Sequence, residues 1–263
     1  MDALALLALQ IDWGADEALD DAPVARLRDP APRAVPTTSR PTPRPAAGPT
    51  LGTAPGPAAT TPTRPVLAAG APVEADSLEA LAAVIRDFEG CALRDTATNP
   101  VFAAGDPDSG LLIIGDPPGD AEDRAGQPFA GPAGEFLDRV LPPLGLSRER
   151  VMLAHLIPWR PPGNRPPTDA ELAQCLPFLH RLIALAKPRR VVILGILAAR
   201  ALLPTAQNLT MRRLHGKWTE LSVPGLDNPI QALPMHNPAT LRTAADRRET
   251  WADWRMLHRS IRD

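Results

Sequence analysis

From residue 111 onward the chain repeats one pattern four times: a short, continuous apolar run, then a helical stretch. The runs are Leu111–Ile114, Val151–Leu156, Val191–Leu194 and about Pro229–Leu233. The helical stretches are about Gly134–Leu144, Thr168–Ala186, Leu197–Leu203 and Ala244–Arg259. Strands that are apolar throughout, rather than alternating, are buried on both faces. Strands that alternate with helices pair in parallel beneath them. The pattern therefore predicts an α/β protein: a three-layer α/β/α fold around a central four-stranded parallel sheet. Thr168 with Glu171 three residues on reads as a capping box. An earlier segment, "DSLEALAAVIRDF" at 76–88, adds a helix with Asp76 as its expected N-cap and apolar residues at Leu78, Leu81, Ile85 and Phe88.

The chain ahead of residue 76 has a different composition. Thirteen of the 33 prolines fall between Pro23 and Pro72, and no acid occurs between Asp29 and Glu74. Such a segment buries too little apolar surface to offset its ordering entropy. Residues 21–75 are expected to be a disordered, weakly basic linker, a plain spacer or an arm that tethers nucleic acid. Residues 1–20, "MDALALLALQIDWGADEALD", suit a short amphipathic helix that stays free, docks on the main domain or binds a protein partner. The folded domain is expected over 76–263.

Several classes are excluded or disfavoured. No stretch reaches the length of a membrane span. Two cysteines, Cys91 and Cys175, make no disulfide framework, and a reducing cytoplasm is the expected setting. A net charge of −2 advertises no nucleic acid, so DNA binding must rest on local patches.

Open α/β sheets bind ligands at the carboxyl ends of their strands. Three segments fall there: Gly115-Asp116-Pro117-Pro118-Gly119, the end of the second strand at His155, and "PMHNPATLR" at 234–242. The first is neither a Gly-x-Gly-x-x-Gly fingerprint nor a P-loop. Its two prolines remove backbone donors and stiffen the turn, which suits a fixed acid better than a phosphate cradle. Asp116 also suits a simple turn. Phe129, among Pro128, Ala130 and Gly131, offers a rigid aromatic face or else packs in the core. An acid beside an aromatic platform suits a flat ring such as a flipped nucleobase.

The runs "GDPPGDAEDRAGQPFAGPAGEFLDRVL", "RPPGNRPPTDAELAQCLPFL", "KPRRVVILG", "LHGKW" and "MHNPATLR", in this order, resemble the successive motifs of uracil-DNA glycosylases of the family-four type. The resemblance spans about Phe88 to Asp253. It implies roles residue by residue. Asp116 stands for the family glutamate that places the attacking water, in a loop with Gly115, Pro117 and Gly119. Phe129 stands for the phenylalanine that stacks on uracil. His236 stands for the histidine that meets the charge building on the leaving base. Leu241 would fill the gap left by the flipped base, and Arg242, with Asn237, Arg212 and Arg213, would face DNA. The family also carries an iron–sulfur cluster on four cysteines, and here Phe88 and Trp159 replace two of them. Cys91 and Cys175 cannot close a four-thiolate site, so no cofactor or metal is expected.

His155 replaces an asparagine that reads the uracil edge. An imidazole cannot make that two-point contact, so His155 is expected either to donate to one base carbonyl with relaxed selectivity or to be a buried histidine satisfied by its own partners. The implied activity is hydrolysis of the N-glycosidic bond of a deaminated base, uracil first, leaving an abasic site, by a monomer acting on DNA. The alternative is a catalytically weak module that binds lesions or abasic sites and recruits a partner through its N-terminal tail.

Overall fold

The computed structural model describes residues 73–262. The expected N-terminal helix and nearly all of the linker lie outside the described residues, apart from Val73, Glu74 and Ala75. Val73 and Ala75 are buried in the core ahead of the first helix. That helix, α1, runs Leu78–Asp87, and its cap is Ser77 rather than Asp76. Ser77 has extended backbone and its hydroxyl accepts from the Ala80 N–H at 3.1 Å. The remaining elements follow as α2 (Leu93–Thr96), β1 (Leu111–Gly115), α3 (Asp120–Ala125), α4 (Pro132–Val140), β2 (Met152–His155) and α5 (Asp169–Ala186). Then come β3 (Arg190–Leu194), α6 (Ile196–Leu202), α7 (Met211–Leu214), β4 (Thr219–Leu221), β5 (Ile230–Met235) and α8 (Ala244–Arg262). The capping box ahead of α5 is present. The Thr168 hydroxyl accepts from the Glu171 N–H at 3.3 Å, and Glu171 accepts from the Thr168 N–H at 2.7 Å.

The sheet order is β2-β1-β3-β5-β4. The first four strands are parallel, in the register Gly115↔His155, Gly115↔Leu194 and Leu194↔Met235. The sheet has five strands rather than the expected four. The additional one, β4, is three residues long and pairs antiparallel with β5 at the edge. A three-residue edge strand with one buried side chain carries no legible periodicity.

Alternate residues of each strand feed opposite cores. Leu112, Ile114, Val191 and Ile193 join one cluster with α1 and α5. Leu111, Ile113, Val192 and Leu194 join the other with α4 and α8. Helices thus cover both faces, and four strand ends meet at one edge of the layers.

Helix α4 also seats the loop before it. A methyl group on Gly134 would stand 1.7 Å from the Phe129 carbonyl oxygen. Backbone cannot yield as a flexible side chain does. Gly134→Ala is expected to cost about 3 kcal/mol or more in denaturant unfolding and to displace Phe129. An unchanged unfolding midpoint would show that the loop is not seated as described.

Candidate active site

Strand β1 ends at Gly115, and the Asp116 N–H continues the ladder to the Leu194 carbonyl at 3.2 Å. The Asp116 side chain then crosses the end of β3. Its Oδ1 accepts from the Ala198 N–H at 3.0 Å, and its Oδ2 accepts from the Asn237 amide at 3.2 Å. Helix α6 is capped by Gly195, which has no side chain, so Asp116 supplies the missing acceptor. Gly195 has φ of +122°, and a Cβ there would lie 2.0 Å from Asp116 Oδ2. Only glycine admits the carboxylate at this place. Burial pushes the Asp116 carboxyl above its ordinary range, against the opposing hydrogen bonds from Ala198 and Asn237.

Phe129 is held from several directions. Its φ is +55°, an uncommon conformation for a bulky residue. The Arg148 guanidinium donates to the Phe129 carbonyl at 2.6 Å and to the Pro128 carbonyl at 3.0 Å. The buried Glu122 accepts from the Gly119 N–H at 3.0 Å and from the Gly131 N–H at 2.8 Å. One carboxylate therefore ties together the two glycine loops that flank α3. Sequence reasoning passed over Glu122 and Arg148. The one local signal was Glu122 at the third position of α3, where a capping box places its acid.

His155 ends β2 beside Gly115. Its Nδ1–H donates to the Asp116 carbonyl at 2.6 Å, and its Nε2 accepts from the Phe129 N–H at 3.2 Å. Its ring stacks on Phe129, with centroids 4.7 Å apart and planes at 26°. A Cβ at Gly115 would press on both rings at 2.9 Å, so glycine is needed at the strand end. Burial holds the imidazole below its usual titration range. The expectation that His155 donates to a base carbonyl meets a physical obstacle. Both nitrogens already serve the backbone.

These residues surround a cleft of about 420 Å³, within the range of small-ligand sites. Gly115, Asp116, Pro117, Gly119, Phe129, His155 and Asn237 are among the residues that line it. Phe129 is buried, with 1% of its surface exposed. His236 is not among the lining residues. Its ring lies 4.9 Å from that of His215, and its Nε2 faces Glu249 Oε2 at 3.8 Å. Leu241 is half-buried against the β5 and α8 core. Arg212, Arg213 and Arg242 are exposed. Asn237, expected to face DNA, turns its amide inward onto Asp116, with its own Oδ1 accepting from the Ala239 N–H at 3.0 Å.

Beneath the sheet lie the residues at the four expected cluster positions. Cys91 and Cys175 are fully buried with their sulfurs 3.8 Å apart. Phe88 and Trp159 stack at 6.0 Å, and Phe178 packs edge-on against both. The Cys175 thiol beside Cys91 pulls Cys91 down to about 7, while Cys175 is pushed up by that neighbour and by burial. Two thiols walled in by three aromatic rings do not fit a four-thiolate cluster. Anaerobically purified protein is expected to lack stoichiometric iron and its visible absorption. One cluster's worth of iron per chain would overturn this.

Comparison with known proteins gives the family. A family model, the uracil DNA glycosylase superfamily, matches residues 102–257. The chain is 34% identical over 182 residues to the type-4 uracil-DNA glycosylase of Pyrobaculum aerophilum, covering 68% of this chain and 92% of that protein. It is 32% identical over 178 residues to the type-4 enzyme of Archaeoglobus fulgidus, covering 67% and 88%. With the type-4 enzyme of Thermotoga maritima the identity is 36% over 121 residues, covering 46% and 63%. Among the described residues no helix is long and apolar enough to cross a membrane. The motif order, the cleft at the strand ends and these matches together show that the chain belongs to the uracil-DNA glycosylase superfamily, as a protein of its family-four type.

Proposed function

We propose that the cleft takes a uracil flipped out of DNA and hydrolyses its N-glycosidic bond, leaving an abasic site. The observation that carries this reading is Asp116, a carboxylate fixed by two hydrogen bonds beside the buried Phe129 ring. A carboxylate has about four acceptor positions. Those not engaged by the α6 backbone and Asn237 orient a water against the sugar. The water oxygen bonds to C1′ as the bond from C1′ to the base breaks. The electron pair leaves with the base, and the water's proton passes to Asp116.

In this reading His236 meets the departing charge after turning from Glu249 toward its neighbour Asn237. Leu241 fills the vacated space in the duplex. Arg212, Arg213 and Arg242 touch phosphates, which position DNA without reading sequence.

One observation favours a second reading, a weakly catalytic module that holds lesions. An imidazole already rests on Phe129. Single-turnover nicking of duplexes containing uracil, hypoxanthine or xanthine, run beside binding to abasic DNA, separates the two. The proposal expects slow but complete uracil excision. Tight abasic-site binding without excision would establish the second reading instead.

A further inference from the structure

His236 belongs to a side-chain cluster outside the cleft. It follows β5, while His215 lies between α7 and β4, and Glu249 projects from α8. Glu249 Oε2 is 3.5 Å from His215 Nε2 and 3.8 Å from His236 Nε2. One ligand atom from each residue falls within 4.8 Å of the others. His236 Nε2 and Glu249 Oε2 are buried atoms with no hydrogen-bond partner. Buried polar atoms are normally satisfied, and this pair has no hydrogen-bond partner among the protein's own groups.

A fourth residue prepares the cluster. His215 Nδ1 donates to Asp253 Oδ2 at 3.0 Å. That bond puts a hydrogen on Nδ1, so that in the neutral ring the Nε2 lone pair is on the side of Glu249. A carboxylate behind a histidine in this way is the usual support of a metal-ligating imidazole. Gly216 makes room for it, since a Cβ there would lie 2.5 Å from Asp253 Oδ1. The Gly216 N–H also donates to the Pro234 carbonyl at 3.1 Å, which fixes the His215 segment to β5. Two imidazole nitrogens and one carboxylate oxygen thus converge.

We propose that His215, His236 and Glu249 form a binding site for a divalent transition-metal ion of zinc chemistry. Two imidazoles and one carboxylate are a common zinc donor set, with a fourth position left for water. Ligand atoms in a tetrahedral zinc site stand roughly 3.4 Å apart, given bonds of about 2.1 Å. The cluster needs only small side-chain rotations to close to that size. Glu249 is about one-third exposed, which leaves an entry path. An ion held here also keeps His236 turned away from the cleft. Reversible inhibition of excision by zinc therefore follows, and that consequence alone rests on the proposed function.

The test uses the tag-free full chain, stripped of metal and titrated with Zn²⁺ in a calorimeter, with Co²⁺ as a spectroscopic probe. The expected result is one ion per chain, a low-coordinate Co²⁺ spectrum and a rise in melting temperature of roughly 5–10 °C at a hundredfold excess over Kd. Glu249→Gln, a near-isosteric change on a partly exposed helix position, should abolish binding, as should His215→Ala. Asp253→Asn should weaken binding roughly 10- to 100-fold. A Cys91→Ser, Cys175→Ser double variant should bind as wild type. Absence of one-to-one binding, or binding that survives both Glu249→Gln and His215→Ala, overturns the site. Stoichiometric binding without inhibition keeps the site and refutes instead the role given to His236.

Discussion

Asp116→Asn is expected to lower single-turnover uracil excision by about 10²- to 10⁴-fold, the range for a positioned group that handles a proton in the transition state. The substitution keeps the size and one acceptor of the side chain. The new amide still accepts from the Ala198 N–H, so α6 stays capped. The other end meets the Asn237 amide and loses one hydrogen bond, about 1 kcal/mol. Burial already disfavours the charge on Asp116, and its removal offsets part of that loss. The melting temperature should therefore move by only a few degrees.

The pH profile gives a second readout. The folded Asp116 titrates above its ordinary value, so the ionised, water-orienting form is lost at a higher pH than for a free carboxylate. Wild-type excision should fall as pH drops through that raised value, while the residual activity of the variant should show no such limb. The corresponding stability term has the opposite sense to a salt-bridged acid. A carboxyl raised by burial favours the fold at low pH and opposes it as pH rises through the folded value. Excision by Asp116→Asn within tenfold of wild type would remove Asp116 from the chemistry and leave it as the cap of α6.

The second large effect is expected at His155. Its imidazole lies on Phe129 with both nitrogens committed to the backbone. A base that enters the cleft must share or displace that ring. His155→Asn substitutes a smaller side chain with an amide edge, which presents a donor and an acceptor on neighbouring atoms. A bidentate contact to a base edge is worth about 1–3 kcal/mol, so uracil excision should rise roughly 10- to 100-fold and uracil should gain over xanthine.

Stability should move the other way. The Phe129 N–H loses its acceptor, and an unsatisfied buried donor costs about 1–3 kcal/mol. His155 also sets an acid dependence. Its folded value is lowered, so its stabilising contribution is complete above the unfolded value near pH 6.5 and is lost as pH falls from there toward the folded one. The variant should lack that slope in pH-dependent unfolding. If His155→Asn instead slows a wild-type excision that is already fast and selective for uracil, then the imidazole itself takes part in the reaction.

The primary sequence was enough for the layers of this protein, because continuous apolar runs alternating with amphipathic helices have few other ways to bury themselves. Local chemistry also marked the Asp116 and Phe129 loops, since prolines fix the backbone and glycines permit turns within a few residues. Ser77 took the cap from Asp76 by an offset of one residue, and β4 escaped notice at three residues long. What the tertiary structure alone decided lies in long-range pairings. Phe129 meets His155 across 26 residues, and Asp116 meets His155 across 39 and Asn237 across 121. A histidine in a sequence offers two nitrogens to any partner. Only the packed strand ends show that both belong to the backbone at His155, and that His236 faces Glu249 rather than the cleft. Spacing along a chain carries side-chain direction for one helical turn or a few strand residues, and beyond that distance direction is set by what the core brings alongside.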